Sequence, residues 1–186
     1  TLYHFSCFHE GLLIANVLLS LNLDREAVAA GLIYPCYRDA DLSDEDLVEH
    51  LGSTVARLVK GIARMDAIHS LSNTHLPVNK TRAENLRKML LAMVEDVRVV
   101  LIKLGERLTL LRQAKNFSQK QKIVLAQEVG DIYAPLANRL GLGQLKWEME
   151  DLVFRYLDEE AYKRLAKHLD EIRPKREQYI QSVTKQ

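Results

Sequence analysis

The chain reads as all-α. Apolar residues recur at helical spacing in nearly every segment, and nothing alternates with period 2 for long. Only eight glycines and four prolines punctuate the 186 residues. Hydrophobic residues make up 47% and charged residues 27%, the balance of an ordinary soluble globular protein with ample core. The formal net charge is +1, so bulk charge gives no reason to expect nucleic acid or a membrane surface as a partner.

Leu12 to Leu21 forms a short apolar helix. Asp24 is placed to cap a second, running through Ala29 to Tyr34. Pro35 should help end it, because its ring removes a donor and disfavours helix at the residue before. Ser43 with Asp46 gives a capping-box-like start to Asp44–Leu51, and Gly52 reads as its stop. Val55, Leu58, Val59 and Ile62 mark the next helix, and the polar, turn-rich stretch 69–80 reads as a loop. Leu86, Met89, Leu90, Met93 and Val94 then fall on one helical face.

Val97 to Leu104 is apolar almost throughout, apart from Arg98 and Lys103, and the helix Val97–Leu111 should be the central, most buried one. A strand over Val99 to Ile102 is the rival reading, but the pattern continues too far for one. Ser118 can cap a helix through Ile132. Gly141 and Gly143 break the chain before a stripe at Met149, Leu152, Val153, Tyr156 and Leu157. Asp158 caps a last helix with Tyr162, Leu165, Ala166 and Leu169 inward, and Pro174 should break or kink it. No repeat, low-complexity tract or Gly/Ser linker divides the chain.

No apolar run reaches the roughly 18 residues of a membrane span, so no membrane is expected. Cys7 and Cys36 make no disulfide framework, which favours a cytoplasmic chain. Thr1 to His4 lack Met and a basic segment ahead of an apolar one, and look like the start of a fragment, not a signal peptide.

The six histidines show no i,i+4 pair, and the cysteines have no Cys-x-x-Cys spacing, so a structural zinc is not expected. Asp39, Asp41, Asp44, Glu45 and Asp46 form an acidic cluster. It reads as a solvated loop and a negatively charged first helical turn, with weak Mg²⁺ binding the sharper alternative. Glu106, beside Gly105 and Arg107, is open to three readings: ligand, base or ion-pair partner of Arg107. No glycine-rich phosphate loop or nucleotide fingerprint is present. The many basic residues of the central helices, among them Arg64, Lys103 and Arg107, could line a pocket for an anion or nucleotide, or be solvated faces paired with acids.

Three strings are more specific. They are RKMLLAMVEDVRVVLIKLGERL from Arg87 to Leu108, IYAPLANRLGLGQLKWEMEDL from Ile132 to Leu152, and FRYL from Phe154 followed by AYKRLAK from Ala161. Together they resemble the N-terminal half of the long RelA/SpoT-type enzymes, which make or degrade guanosine tetra- and pentaphosphate in the bacterial stringent response. The resemblance covers essentially the whole chain. It implies a multi-helix HD-type phosphohydrolase fold, with residues 1–130 as the HD domain and 131–186 as a helical segment leading to a synthetase domain.

In the bifunctional members this region binds Mn²⁺ and removes pyrophosphate from the alarmone. Here the implied site is degenerate. Gly11 stands for the first ligand His, with His9 two residues away, and Tyr34-Pro35 stand for the His-Asp pair. Arg38-Asp39 replace the Glu-Asp pair that follows, Glu106 the last ligand Asp, and Leu110 an Asn near the nucleotide. A protonated phenol is a poor ligand and Pro has no ligand atom. Without a cation nothing lowers the pKa of the attacking water.

The pattern resembles the monofunctional, ribosome-associated RelA-type enzymes, and the expectation is a catalytically inactive regulatory domain. No cofactor is expected in this chain, and Mg²⁺ only in the synthetase domain. The partners implied are that domain, the ribosome through the full-length protein, and a guanine nucleotide in a sensing role. The rival is a hydrolase with ligands drawn from His9, Asp39 and Glu106. Tyr34 and Leu110 are expected to face and fill the former cleft.

Overall fold

The computed structural model describes residues 7–39, 42–72, 80–92 and 95–169. Every regular element among them is helical: α1 (Cys7–Ser20), α2 (Arg25–Asp39), α3 (Asp44–Ser72), α4 (Lys80–Ala92), α5 (Val97–Gln113), α6 (Gln119–Glu128), α7 (Ala134–Arg139) and α8 (Gly143–Leu157). Residues 159–169 are helical as well. Among the described residues no helix is long and apolar enough to cross a membrane.

Several boundaries follow from local chemistry. The Asp24 carboxylate accepts from the Ala27 amide at 2.8 Å, capping α2. Ser43 and Asp46 exchange bonds at the start of α3, the Asp46 amide donating to Ser43 Oγ at 3.1 Å and the Ser43 amide to Asp46 Oδ2 at 3.2 Å. Ser118 and Gln121 form a complete capping box on α6. Two helix ends close in the same way. The Leu23 and Asn22 amides donate back to Leu18 and Leu19 after α1, and those of Leu142 and Gly141 to Ala137 and Asn138 after α7. The residues that turn the chain, Asn22 and Gly141, have φ of 56° and 75°, as this termination requires.

Some expectations need correction. Pro35 does not end α2, which continues to Asp39 with Pro35 buried inside it. So near the helix end the missing donor costs a single intrahelical bond, and burial of the ring offsets it. Gly52 breaks helical geometry with φ 84° and ψ 162°, yet helix resumes at once and runs to Ser72 as the second limb of a kinked α3. Residues 69–72 are therefore helical, and the rest of the expected loop, up to Lys80, lies outside the described residues. Val129–Tyr133 form a π-helical turn between α6 and α7. Met89, Leu165 and Leu169 are exposed instead of inward-facing. Met93, Val94 and Pro174 lie outside the described residues.

Helix α5 is the axis of the fold. Eleven of its 17 residues are buried, and it packs on α1, α2, α3 and α8. Helices α1 and α2 pair as a hairpin, while α7, the π turn and α6 pack on α8. One continuous apolar core extends from Ile14 to Tyr156. Tyr156 ties α8 to α5 by donating to the Leu111 carbonyl at 3.0 Å.

Candidate functional site

The apolar packing of α5 is interrupted by three charged residues in one turn and a half: Lys103, Glu106 and Arg107. Lys103 is fully buried and Glu106 is 2% exposed. Charges removed from water must be compensated, and helices from across the fold converge to do so. Lys103 Nζ pairs with Asp66 of α3 and with Glu106. Arg107 reaches Glu128 of α6 at 3.1 Å and Asp66 at 3.6 Å. Arg38, in the last turn of α2, binds Glu10 of α1 at 3.0 Å, Asp39 at 2.9 Å and Glu106 at 3.5 Å.

Two phenols complete the cluster. Tyr34 is 2% exposed and donates its hydroxyl to Asp66 Oδ2. Its ring meets two cations, with Lys103 Nζ 5.7 Å and the Arg38 guanidinium 6.0 Å from the centroid. Tyr133, from the π turn, lies 5.2 Å below the Arg107 guanidinium.

The ionisation states follow from this arrangement. Burial lifts the Tyr34 phenol far above its ordinary value, and the Asp66 and Glu106 carboxylates add to the shift, so it stays a proton donor. Burial also pulls Asp66 upward, but Lys103, the Tyr34 hydroxyl and Arg107 outweigh it and hold the carboxyl below its usual range. Arg38 is raised, chiefly by its bond to Asp39. Arg107 is raised as well: the Glu128 carboxylate and its neighbours overcome desolvation.

The structure brings together Tyr34, Arg38, Asp39, Lys103, Glu106 and Arg107, all singled out from sequence. It separates others. Gly11 does not face the cluster; a Cβ there would lie 2.0 Å from the Leu32 carbonyl oxygen, so this position is pressed onto the backbone of α2. The α1 residue that meets Arg38 is Glu10, one position earlier and 7% exposed. Pro35 is buried within α2 and contributes no polar atom. Leu110 is buried one turn beyond Glu106 on α5.

His9 lines a different recess, with Thr109, Arg112 and Asn116, apart from Asp39 and Glu106. Arg64 is not in the cluster either; with Arg57 and Lys60 it lines a groove of about 790 Å³ between α3 and the start of α5.

Sequence reasoning missed Glu10, Asp66 and Glu128. A signal existed for the first two. Glu10 stands four residues before buried Ile14, and Asp66 four after buried Ile62, so each continues an apolar stripe.

This donor set does not fit a divalent metal. The carboxylates Glu10, Asp66 and Glu106 are each engaged by a fixed side-chain cation, and the phenol beside them is protonated. Among the described residues no group of three or more His, Cys, Asp or Glu side chains could hold an ion.

Comparison with known proteins gives the lineage. The HD domain family matches residues 2–143. The chain is 45% identical over 174 residues to the GTP pyrophosphokinase of Escherichia coli K12, covering 92% of this chain and 23% of that protein. It is 38% identical over 170 residues to the GTP pyrophosphokinase of Myxococcus xanthus, covering 91% and 22%. It is 36% identical over 170 residues to a probable guanosine-3′,5′-bis(diphosphate) 3′-pyrophosphohydrolase of Synechocystis, again covering 91% and 22%. The chain thus spans about a quarter of the length of these relatives. An all-helical bundle whose axis carries a buried charged cluster, matched by that family over most of its length, belongs to the HD domain family, in its RelA/SpoT branch.

Proposed function

We propose that this chain is a catalytically inactive HD domain that serves as a regulatory module of a GTP pyrophosphokinase. The observation that carries the reading is that Arg38 and Lys103 stand among the carboxylates Glu10, Asp66 and Glu106. A hydrolase of this kind needs a cation that both binds the diphosphate and lowers the pKa of a water. A guanidinium and an ammonium neutralise the carboxylates, but neither coordinates a water as a metal does. The protonated Tyr34 phenol, bonded to Asp66, supports the same reading.

The parent protein would transfer pyrophosphate from ATP to GTP or GDP in the cytoplasm, with Mg²⁺ in its synthetase domain, and act on the ribosome. The present domain would bias that synthetase between active and restrained states through a difference in interface energy. The test is direct. The chain is equilibrated with Mn²⁺, separated from free metal, assayed for bound ion and incubated with guanosine tetraphosphate. The expected result is no stoichiometric Mn²⁺ and no pyrophosphate release. About one ion per chain together with turnover overturns the reading.

A further inference from the structure

The two cysteines, far apart in sequence, meet in the fold. Cys7 opens α1 and Cys36 lies in the last turn of α2, 29 residues away. The Cys36 thiol points at Cys7, with the sulfurs 2.8 Å apart, inside the van der Waals separation of two sulfur atoms. Both are free thiols at intermediate exposure, so a small oxidant can reach them. Their backbones are held in place by the α1–α2 hairpin, in which the Gly11 position touches the Leu32 backbone. Sulfurs so placed close a bond with little backbone movement.

We infer that Cys7 and Cys36 form a reversible redox pair, oxidised to an intrachain disulfide by a low-molecular-weight disulfide such as glutathione disulfide. Cys7, as thiolate, attacks one sulfur of glutathione disulfide; the Cys7–glutathione bond forms, the glutathione S–S bond breaks, and one glutathione thiolate leaves. Cys36 then attacks Cys7 Sγ; the Cys7–Cys36 bond forms, the Cys7–glutathione bond breaks, and the Cys36 proton ends on the departing glutathione. The protein loses two protons and two electrons, and one glutathione disulfide takes them up to become two thiols. Burial and its bond to Cys7 push Cys36 up to about 12, and the products are the same if the two cysteines exchange roles. The new bond staples the first turn of α1 to the last turn of α2, beside the Glu10–Arg38 pair.

The experiment uses the reduced chain, equilibrated with glutathione disulfide and followed by mass spectrometry, thiol titration and thermal melting. The expected product is monomeric, about 2 Da lighter, without titratable thiols, and returned to the start by dithiothreitol. Its melting temperature should rise by roughly 5–10 °C, as for a cross-link closing a loop of this size. Cys36→Ser should stop at a single glutathione adduct on Cys7, with no such rise. Stable adducts on both cysteines of the unmodified chain, a bond between two chains, or both thiols still titratable at equilibrium would each overturn the inference.

Discussion

Two of the salt-bridge sites on helix α5, one at its start and one in its middle, are opposites. At its start, Arg98 binds Asp96 at 2.6 Å and Asp24 at 2.8 Å, with its side chain 25% exposed. In its middle, Lys103 binds Asp66 and Glu106 with no exposure at all. The residue types are nearly the same; the solvent differs. At the outer site, the Ala27 amide is the chief cause of the lowered Asp24 carboxyl, and Arg98 lowers Asp96. Those carboxylates would be charged and hydrated without the arginine. At the inner site, burial opposes the charge on Asp66, and Lys103, the Tyr34 hydroxyl and Arg107 together sustain it. The outer contacts position a helix start, whereas the inner ones are a condition for burying the charges at all.

The largest expected effect separates the two sites outright. Lys103→Met keeps the length of the side chain but leaves Asp66 and Glu106 facing each other, and should cost about 3–5 kcal/mol in denaturant unfolding. Arg98→Met should cost only about 0.2–1 kcal/mol. Equal losses would erase the contrast.

Tyr34→Phe comes next. It removes the hydroxyl donated to Asp66 while keeping the ring beside Arg38 and Lys103, and should cost about 1–3 kcal/mol. An unchanged melting curve would mean that the phenol is spectator to the cluster.

The pH dependence sharpens the comparison further. The folded Asp66 carboxyl lies below its ordinary value, so its contribution is present above about pH 4 and is lost as pH falls through the folded value. The folded Tyr34 phenol lies above its ordinary value, so its contribution is full below about pH 10 and declines as pH rises beyond that. Stability measured across this range should therefore fall at both ends. Tyr34→Phe should remove the phenol's part of the alkaline fall and shrink the acid one, because its hydroxyl helps hold the Asp66 carboxyl down.

The smallest effect is ionic strength. At about 1 M salt the screening length shrinks to roughly 3 Å, so the Arg98 contacts should lose most of their small worth. The Lys103→Met penalty should hardly change between low and high salt. A penalty that shrinks with salt would place Lys103 in contact with water.

Legibility in the sequence divided along the same line between local and distant. Asp24, Ser43, Ser118 and Gly141 were readable because each cap or stop is settled within three or four residues. The apolar run of α5 named the axis of the fold. Asn22 was not readable as a stop, because only the amide bonds around it reveal its role. The π turn has no compositional mark, since Val129–Tyr133 would continue an ordinary helix. In the cluster, Tyr34, Arg38 and Glu106 could be picked out by resemblance to a motif. Asp66 could not, because it lies 32 residues from the phenol it accepts from and belongs to no motif. Glu10, the α1 residue that meets Arg38, lies one position before Gly11, and one position on a helix turns a side chain by about 100°.

The contact between α1 and α2 has a mechanical meaning. At Gly11 one helix rests on the main chain of the other, and at Gly31 an added Cβ would lie 2.4 Å from Leu18 and 3.1 Å from Ile14. Long side chains between helices act as springs, swinging through rotamers when the helices shift; at Gly11 there is none to swing, and at Gly31 the buried Leu18 and Ile14 are packed against the backbone of α2. A push on the end of α2 that carries Arg38 is therefore delivered to α1 undamped, and the two helices travel as one lever instead of sliding past each other.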